Sequence, residues 1–532
     1  MANTPLLAVA TLAIAYAGYW IFKVIAIRRF YRNVPGPPHT FLLGHAKVLG
    51  EYQAKFPAMT SIQSALTQMK HDFDLPDIWY LDLWPFGPQI VICSSPDSAA
   101  IPSTINAMDI ASDVTAFFDK NLGTGFIEAQ NGPTWKELLH IIAPPLTPSA
   151  TRAYHATIVE EAKIFHDRLQ KTALQDEPID IFHETGKYAF DVVSRVFFGS
   201  EVRLRSQTTY CLLYESLLGL GEIVGELVLM LNPVAKRPLI KERDRLVAGM
   251  EDEINKIIDS RFAVLQQKGS SLTKDSATTI LDRMLLAKVQ SNQPVDARLR
   301  RLILDNTKGV LAAGFGTTAD TIVWLLLLLS HFPEVLAKVR EEHTRVFSPS
   351  FDETLSLLES DPSRLKQLEY TTAFIYETLR FFPVGPPFRE PPASMKSFTY
   401  KNVTYPVNGH RFEILTHAIH HDPAVFPSPK EFLPERHLPL SNPPYSRNAY
   451  RPFERGPRAC LGSTLATEEM RILLVMLART FDFEHLPVNV PDKPRVSHTD
   501  MDVTMGDVAF GVARFTAGPR GPVKMRVRRS KV

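Results

Sequence analysis

The stretch that most constrains this chain spans residues 453 to 462 and reads FERGPRACLG, with Cys460 at its centre. A periodic apolar run, LGSTLATEEMRILLVMLARTF, begins directly after the cysteine. It predicts a helix whose first N–H groups and partial positive charge favour a thiolate and lower the thiol pKa. Gly456 and Pro457 predict a tight turn ahead of the sulfur, and Gly462 lets backbone come close to a flat partner. Arg458 offers a planar, permanently charged fork for carboxylates, and Phe453 can screen the sulfur from water. The plain alternative is a Gly/Pro loop around an inert buried cysteine.

Haem meets each of these demands, with its flat macrocycle, two propionates and an iron that takes an axial thiolate. Phe453, Gly456, Arg458, Cys460 and Gly462 match the pattern FxxGxRxCxG, and the loop resembles the haem loop of the cytochrome P450 family. The resemblance implies haem b with Cys460 as the iron ligand and with Phe453, Arg458 and Gly462 around it. Further stretches carry the same resemblance. Residues 296 to 330 read as one long helix, N-capped by Asp296 and ended before Pro333. Gly309, Gly314 and Gly316 inside it each cost about 1 kcal/mol of helix propensity and need a reason. AAGFGTTAD, residues 312 to 320, is similar to the family's AGx(D/E)T(T/S) segment, where the helix opens locally over the haem and leaves room for dioxygen. Thr317 then takes the place of the oxygen-pocket threonine, and Gly316 stands where an acid is expected. Asp320, one turn on, is the candidate to replace that acid through a bridging water.

Glu377 and Arg380 in YETLR share a helix face and match the family's ExxR motif. With Arg436 in PERH they are expected to form a structural triad that holds the segment leading to Cys460. Trp135 in GPTWKELLH resembles the family's WxxxR helix at the haem edge, but the arginine position is Leu139. His140 is expected to take over the propionate contact, with Arg458 and Arg389 as the other propionate partners. The histidines of HHDPAVFPSPKEFLPERH lie in an extended, Pro-interrupted stretch without the HxxxH spacing of a helical metal site.

The chain has 532 residues, 45% of them hydrophobic, enough for a large core. A formal charge of +2 gives no argument for nucleic acid. Cys93, Cys211 and Cys460 are far apart and form no disulfide framework or zinc spacing, which fits a reducing compartment. No charged side chain occurs from Met1 to Phe22, and Lys23, Arg28, Arg29 and Arg32 follow. This predicts a transmembrane anchor over 1–30 with the catalytic domain, 31–532, left in the cytosol: a single-pass protein of the endoplasmic reticulum membrane. VPGPP then reads as a stiff extended segment that sets the two apart.

DIWYLDLWPFGPQIVIC predicts a hairpin over residues 77 to 93, and SFTYKNVTYPVNGHRFEI a second one turning at Asn408-Gly409. Helical patterns dominate between about 130 and 380, so the expected fold class is α+β, mainly α, as the family resemblance also implies. Three apolar regions are expected to face substrate: 107 to 131 with Phe117, Phe118, Leu122 and Ile127, then 211 to 231, then 384 to 388. The resulting expectation is a haem-thiolate monooxygenase that inserts one oxygen atom from dioxygen into an apolar small molecule, in the style of fungal biosynthetic members that make secondary metabolites. No GxGxxG follows a strand, so electrons must come from outside; the resemblance implies an NADPH-cytochrome P450 reductase. Two rivals stand beside it: a reductase-independent peroxide isomerase or dehydratase, kept open by Gly316, and a non-catalytic haem sensor.

Overall fold

The computed structural model describes residues 4–199, 208–229, 233–407, 409–439, 445–486, 496 and 499–531. Its principal helices are, in chain order, α1 (Thr4–Tyr31), α2 (Ser112–Leu122), α3 (Gly132–Ile142), α4 (His155–Gln175), α5 (Ile181–Phe198), α6 (Thr208–Leu229), α7 (Pro233–Gln266), α8 (Ala297–His331), α9 (Glu369–Phe381) and α10 (Ser463–Leu477). The strands are β1 (Ile78–Asp82), β2 (Gln89–Cys93), β3 (Asp109–Ile110), β4 (Ile179–Asp180), β5 (Phe388–Glu390), β6 (Ser397–Tyr400), β7 (Val403–Pro406), β8 (Arg411–Ile414), β9 (Phe481–His485), β10 (Val512–Ala513), β11 (Ala517–Gly518) and β12 (Lys524–Arg529). The fold is mainly helical α+β.

The core is organised around α8, a 35-residue helix that starts where Asp296 accepts the Leu299 N–H at 2.9 Å. Its apolar run is buried on all sides, Trp324 stacking on Phe382 at the end of α9 with centroids 3.9 Å apart. Among the described residues α8 is the helix long and apolar enough to cross a membrane, yet it lies in the core. Two of its glycines have packing reasons. A Cβ at Gly309 would meet the Phe126 ring at 2.1 Å, and one at Gly314 would meet Val193 of α5 at 2.4 Å. The helix runs unbroken through residues 312 to 320 instead of opening; Thr317 and Thr321 turn their hydroxyls onto the carbonyls of Ala313 and Thr317, at 2.7 and 2.8 Å.

The five-stranded sheet has the order β1-β2-β8-β5-β3, and the predicted 77–93 hairpin is its β1–β2 pair, with Ile78 opposite Cys93. The second predicted hairpin is placed differently. Its turn falls at Lys401-Asn402, both with positive φ (47° and 64°), so β6 pairs with β7. β8 leaves that ribbon to run parallel to β2, with Ile90 opposite Arg411. Asn408 lies outside the described residues, as does the side chain of Cys211.

The final turns of α1 belong to the packed body. Arg28 and Tyr31 are buried, and Arg28 pairs with the buried Asp82 while donating to the carbonyls of Phe41, Leu42 and Trp84 at 2.8 to 3.0 Å. His39 adds a 2.9 Å contact to Asp82, and Trp20 stacks on Trp84 at 5.4 Å. Farther toward its start, α1 exposes Leu12, Ile14, Ile21 and Phe22.

Candidate active site

Cys460 precedes α10 by three residues, and Gly462 is the N-cap. The loop is closed by the Cys460 N–H donating to Phe453 O at 2.9 Å and the Ala459 N–H donating to Gly456 O at 3.0 Å. Gly456 has φ +84°, and a Cβ there would lie 2.1 Å from the carbonyl oxygen of Ser103, so only glycine fits. Cys460 is accessible. The Gly462 and Ser463 N–H groups do favour its anion, as the helix start predicts, but the surrounding protein outweighs them. Although the sulfur opens onto solvent, the protein packed around it strips water away and pushes the thiol up, with Glu128 adding to the rise, against the lowering expected from the helix start. A metal bound at the sulfur would supply a positive charge that favours the thiolate.

The arginines beside the loop fit a carboxylate-bearing ligand. Arg458 stacks on Trp135 of α3 at 4.0 Å. Its Nη2 donates to Asn131 Oδ1 at 2.6 Å and Gln130 O at 3.1 Å, while its buried Nη1 has no hydrogen-bond partner among the described residues. Arg389 of β5 is buried, its Nη2 3.6 Å from Glu454. Glu128, a residue the sequence reading passed over, sits close enough for both arginines to oppose the rise that burial imposes on its carboxyl. His140 stands apart: it is exposed, and its Nδ1 lies 2.6 Å from Lys136 O of its own helix. It is five residues beyond Trp135, about 140° round the helix, while Leu139 shares the Trp135 face.

Glu377 and Arg380 of α9 are wholly buried and joined by two bonds of 2.9 Å. Arg436 Nε donates to Glu377 Oε1 at 3.0 Å, and the Leu433 N–H reaches the same oxygen at 3.0 Å. His437, which the sequence reading left out, is the fourth member, its Nε2 2.9 Å from Glu377 Oε2. Burial alone would raise Glu377, but the Arg380 charge and the His437 and Arg380 bonds hold it at about 2. Arg380 also donates to His420 O at 2.6 Å and Pro429 O at 3.0 Å, and Arg436 to Pro427 O at 2.7 Å. The pair therefore holds the whole extended stretch before the cysteine loop.

On α8, Ala313 is exposed in the middle of an otherwise buried helix, and Thr317 and Gly316 are half-buried near it. Asp320 is buried and does not turn to Thr317. It accepts from Thr516 Oγ1 at 2.5 Å, across to the turn between β10 and β11. Burial lifts its carboxyl to about 6, against the pull of Thr516 and Arg514. A small recess of about 50 Å³ here is lined by Leu217, Leu218, Ala312, Phe315 and Phe515, with Gly316 and Asp320 at its side. Phe117 of α2 meets Phe515 edge-on at 6.0 Å.

A cytochrome P450 family model matches residues 35–505. Among curated proteins, the chain is 29% identical to the cytochrome P450 monooxygenase acrF of Aspergillus aculeatus, over 89% of this chain and 99% of that one. It is 27% identical to the cytochrome P450 monooxygenase ptmJ of Penicillium ochrochloron, over 90% of each chain, and 24% identical to cytochrome P450 4A7 of Oryctolagus cuniculus, over 87% of each. A match across most of the chain, together with a cysteine loop and a buried Glu-Arg node of this kind, means that the chain belongs to the cytochrome P450 family and is a cytochrome P450 monooxygenase.

Proposed function

We propose that the protein binds haem b through Cys460 and inserts one oxygen atom of dioxygen into an apolar small molecule, a secondary metabolite, with electrons from an NADPH-cytochrome P450 reductase. The observation that carries this reading is the cysteine loop: an accessible sulfur with two N–H groups on it, beside an arginine whose buried Nη1 has no hydrogen-bond partner among the described residues. Haem supplies the iron that activates dioxygen, and a cysteine thiolate favours cleavage of the O–O bond. The chain's own residues do the rest. Arg458 and Arg389 would hold the propionates, Trp135 keeps the Arg458 plane in position, and Glu377, Arg380, Arg436 and His437 fix the segment that presents Cys460. Phe117, Phe315 and Phe515 exclude water and orient an apolar substrate. Thr317 offers a hydroxyl at the edge of α8 that can accept and donate a proton.

A recess of about 440 Å³ reaches Cys460 from the side of Arg451, Arg455, Glu468 and Arg471, which supports electron delivery by a docked partner. Residues 1–30 are read as a single-pass anchor in the endoplasmic reticulum membrane, its final turn from Arg28 seated on the body, with 31–532 cytosolic. Exposed apolar side chains on α1, followed by Lys23, Arg28, Arg29 and Arg32, support that placement.

The test is spectroscopic. Reduced protein with carbon monoxide should give the red-shifted band of a thiolate-ligated haem, and Cys460→Ser should abolish it while Cys93→Ser leaves it intact. A normal band in Cys460→Ser would sink the assignment. Turnover of an apolar panel should need both NADPH and reductase; product formed from a peroxide without either would select the isomerase reading.

A further inference from the structure

Gly316 and Asp320 lie four residues apart on α8 and face the turn between β10 and β11. A Cβ built at Gly316 would have only Thr516 near it, Cγ2 at 3.8 Å and Oγ1 at 4.0 Å. Thr516 Oγ1 is the group that donates to Asp320 Oδ2 at 2.5 Å. The strand after it packs hard on the same carboxyl, since a Cβ at Gly518 would lie 2.1 Å from Asp320 Oδ1. Packing therefore does not explain the glycine at 316, in contrast to Gly309 and Gly314. A side chain there would reach toward a hydroxyl already held by an acid one turn along. Thr516 also lies beyond the residues matched by the family model, 35–505.

We propose that Asp320 and Thr516 together relay protons into the active site, across a water held in the open space beside Gly316 and on to Thr317. This rests on the monooxygenase reading. The recess that contains Gly316, Asp320 and Thr516 also contains the exposed Glu222 of α6, which gives protons a way in from solvent. The charged groups along it are Glu222 on α6, Arg514 on the β10–β11 turn and Asp320 on α8; the described residues that line it from α5 add none. With Asp320 ionised, the Thr516 hydrogen points at the carboxylate. A proton arriving from solvent turns that carboxylate into a carboxyl, which donates to Thr516 Oγ1. Thr516 then gives its own hydrogen to the water, the water gives one to Thr317 Oγ1, and Thr317 gives its own onward. One proton enters at Asp320, one leaves at Thr317, and every group on the way ends as it began. A carboxyl lifted to about 6 exchanges protons readily near neutral pH. Neither Asp320 nor Thr516 touches the reacting atoms; both position a proton.

The experiment needs no organic substrate. Full-length haem-loaded protein, reductase and NADPH reduce dioxygen either to hydrogen peroxide, using one NADPH per dioxygen, or to two waters, using two. The second branch depends on proton delivery. Asp320→Asn keeps an acceptor for Thr516 but cannot carry the proton, so it should slow the water branch about 100-fold and drive the ratio of NADPH to dioxygen toward one. Thr516→Val should do the same, and Thr516→Ser should restore the wild-type ratio. An infrared carboxyl band titrating near pH 6 should be present in the wild type and missing in Asp320→Asn. A wild-type ratio in Asp320→Asn, with only its unfolding temperature changed, would reduce the contact to a clamp on the turn and overturn the relay. Failure of Thr516→Ser to restore the ratio would also overturn it. Wild-type protein that consumes no NADPH either alone or with the apolar panel, yet forms product from a peroxide, would overturn the monooxygenase reading instead.

Discussion

Three glycines in one helix give a prediction whose sign depends on what surrounds each of them. Replacing glycine by alanine in a helix interior gains about 0.8–1.0 kcal/mol of propensity wherever the new methyl fits. At Gly316 it fits, because the nearest atom to the new Cβ is 3.8 Å away. At Gly314 the methyl would lie 2.4 Å from Val193 Cγ2 and 2.9 Å from Val193 Cβ, and at Gly309 it would lie 2.1 Å from two atoms of the Phe126 ring. Val193 is β-branched and both neighbours are buried, so relief requires main-chain movement, and overpacking of that kind costs about 1–3 kcal/mol. The propensity gain is common to all three, so the difference between Gly316→Ala and Gly314→Ala isolates the packing cost. Gly316→Ala should stabilise by about 0.5–1 kcal/mol, and the other two should destabilise by up to about 2 kcal/mol. For a chain this long, 1 kcal/mol moves the midpoint by roughly 1 °C. Haem-loaded variants scanned at one heating rate, followed by far-ultraviolet circular dichroism, should resolve the order. Equal shifts in all three would refute the argument from close approach.

Further outcomes can be checked directly. Glu377 is held at about 2 against an ordinary 4.5, so it contributes stability that is present above pH 4.5 and lost as pH falls toward 2, about 3 kcal/mol in full. Glu377→Gln should lower the urea midpoint at pH 7 and flatten its fall on acidification; an unchanged acid profile would contradict the assignment. Arg458→Gln should speed haem loss about 10- to 100-fold, from a charged hydrogen bond worth about 1.5–3 kcal/mol, whereas the exposed His140→Ala should leave haem loss unchanged in a transfer assay to apomyoglobin. Removing residues 1–22 should release the protein from membranes with the body intact. Removing 1–30 takes Arg28 from the buried Asp82 and should cost about 3–5 kcal/mol as well, read as a lower unfolding midpoint.

What was legible in the chain beforehand follows the range of the interactions involved. The Asp296 cap, the β1–β2 hairpin and the turn through Gly456 depend on neighbours within a few residues, and each has a local residue signature. The turn at Lys401-Asn402 was masked by a stronger-looking Asn-Gly six residues on, because β8 finds its partner in β2, more than 300 residues earlier. Burial is a collective property, so the direction of the Cys460 shift was hidden from a reading that saw only the helix start. Asp320 was noticed, but its partner Thr516 is 196 residues away, in a segment without a motif. Glu128 lies in a loop singled out for its aromatics, and nothing in its neighbours marks a carboxyl that folds back toward two arginines.

The Glu377 node also bears on how the chain assembles. Its partners lie 56, 59 and 60 residues downstream, and Arg380 adds one 40 residues away. The entropy of closing such a loop is spent on whichever contact forms first, since the others then find their atoms already within reach. The bonds should therefore appear together, late and cooperatively. Until they do, the cysteine loop is an unanchored end of a long polymer segment. A ligand that needs Cys460, Arg458 and Arg389 at once can be captured only after this closure. Refolding without haem should consequently stall at a species with native helices and a loosely held 420–460 segment, distinguishable by fast amide exchange confined to that stretch.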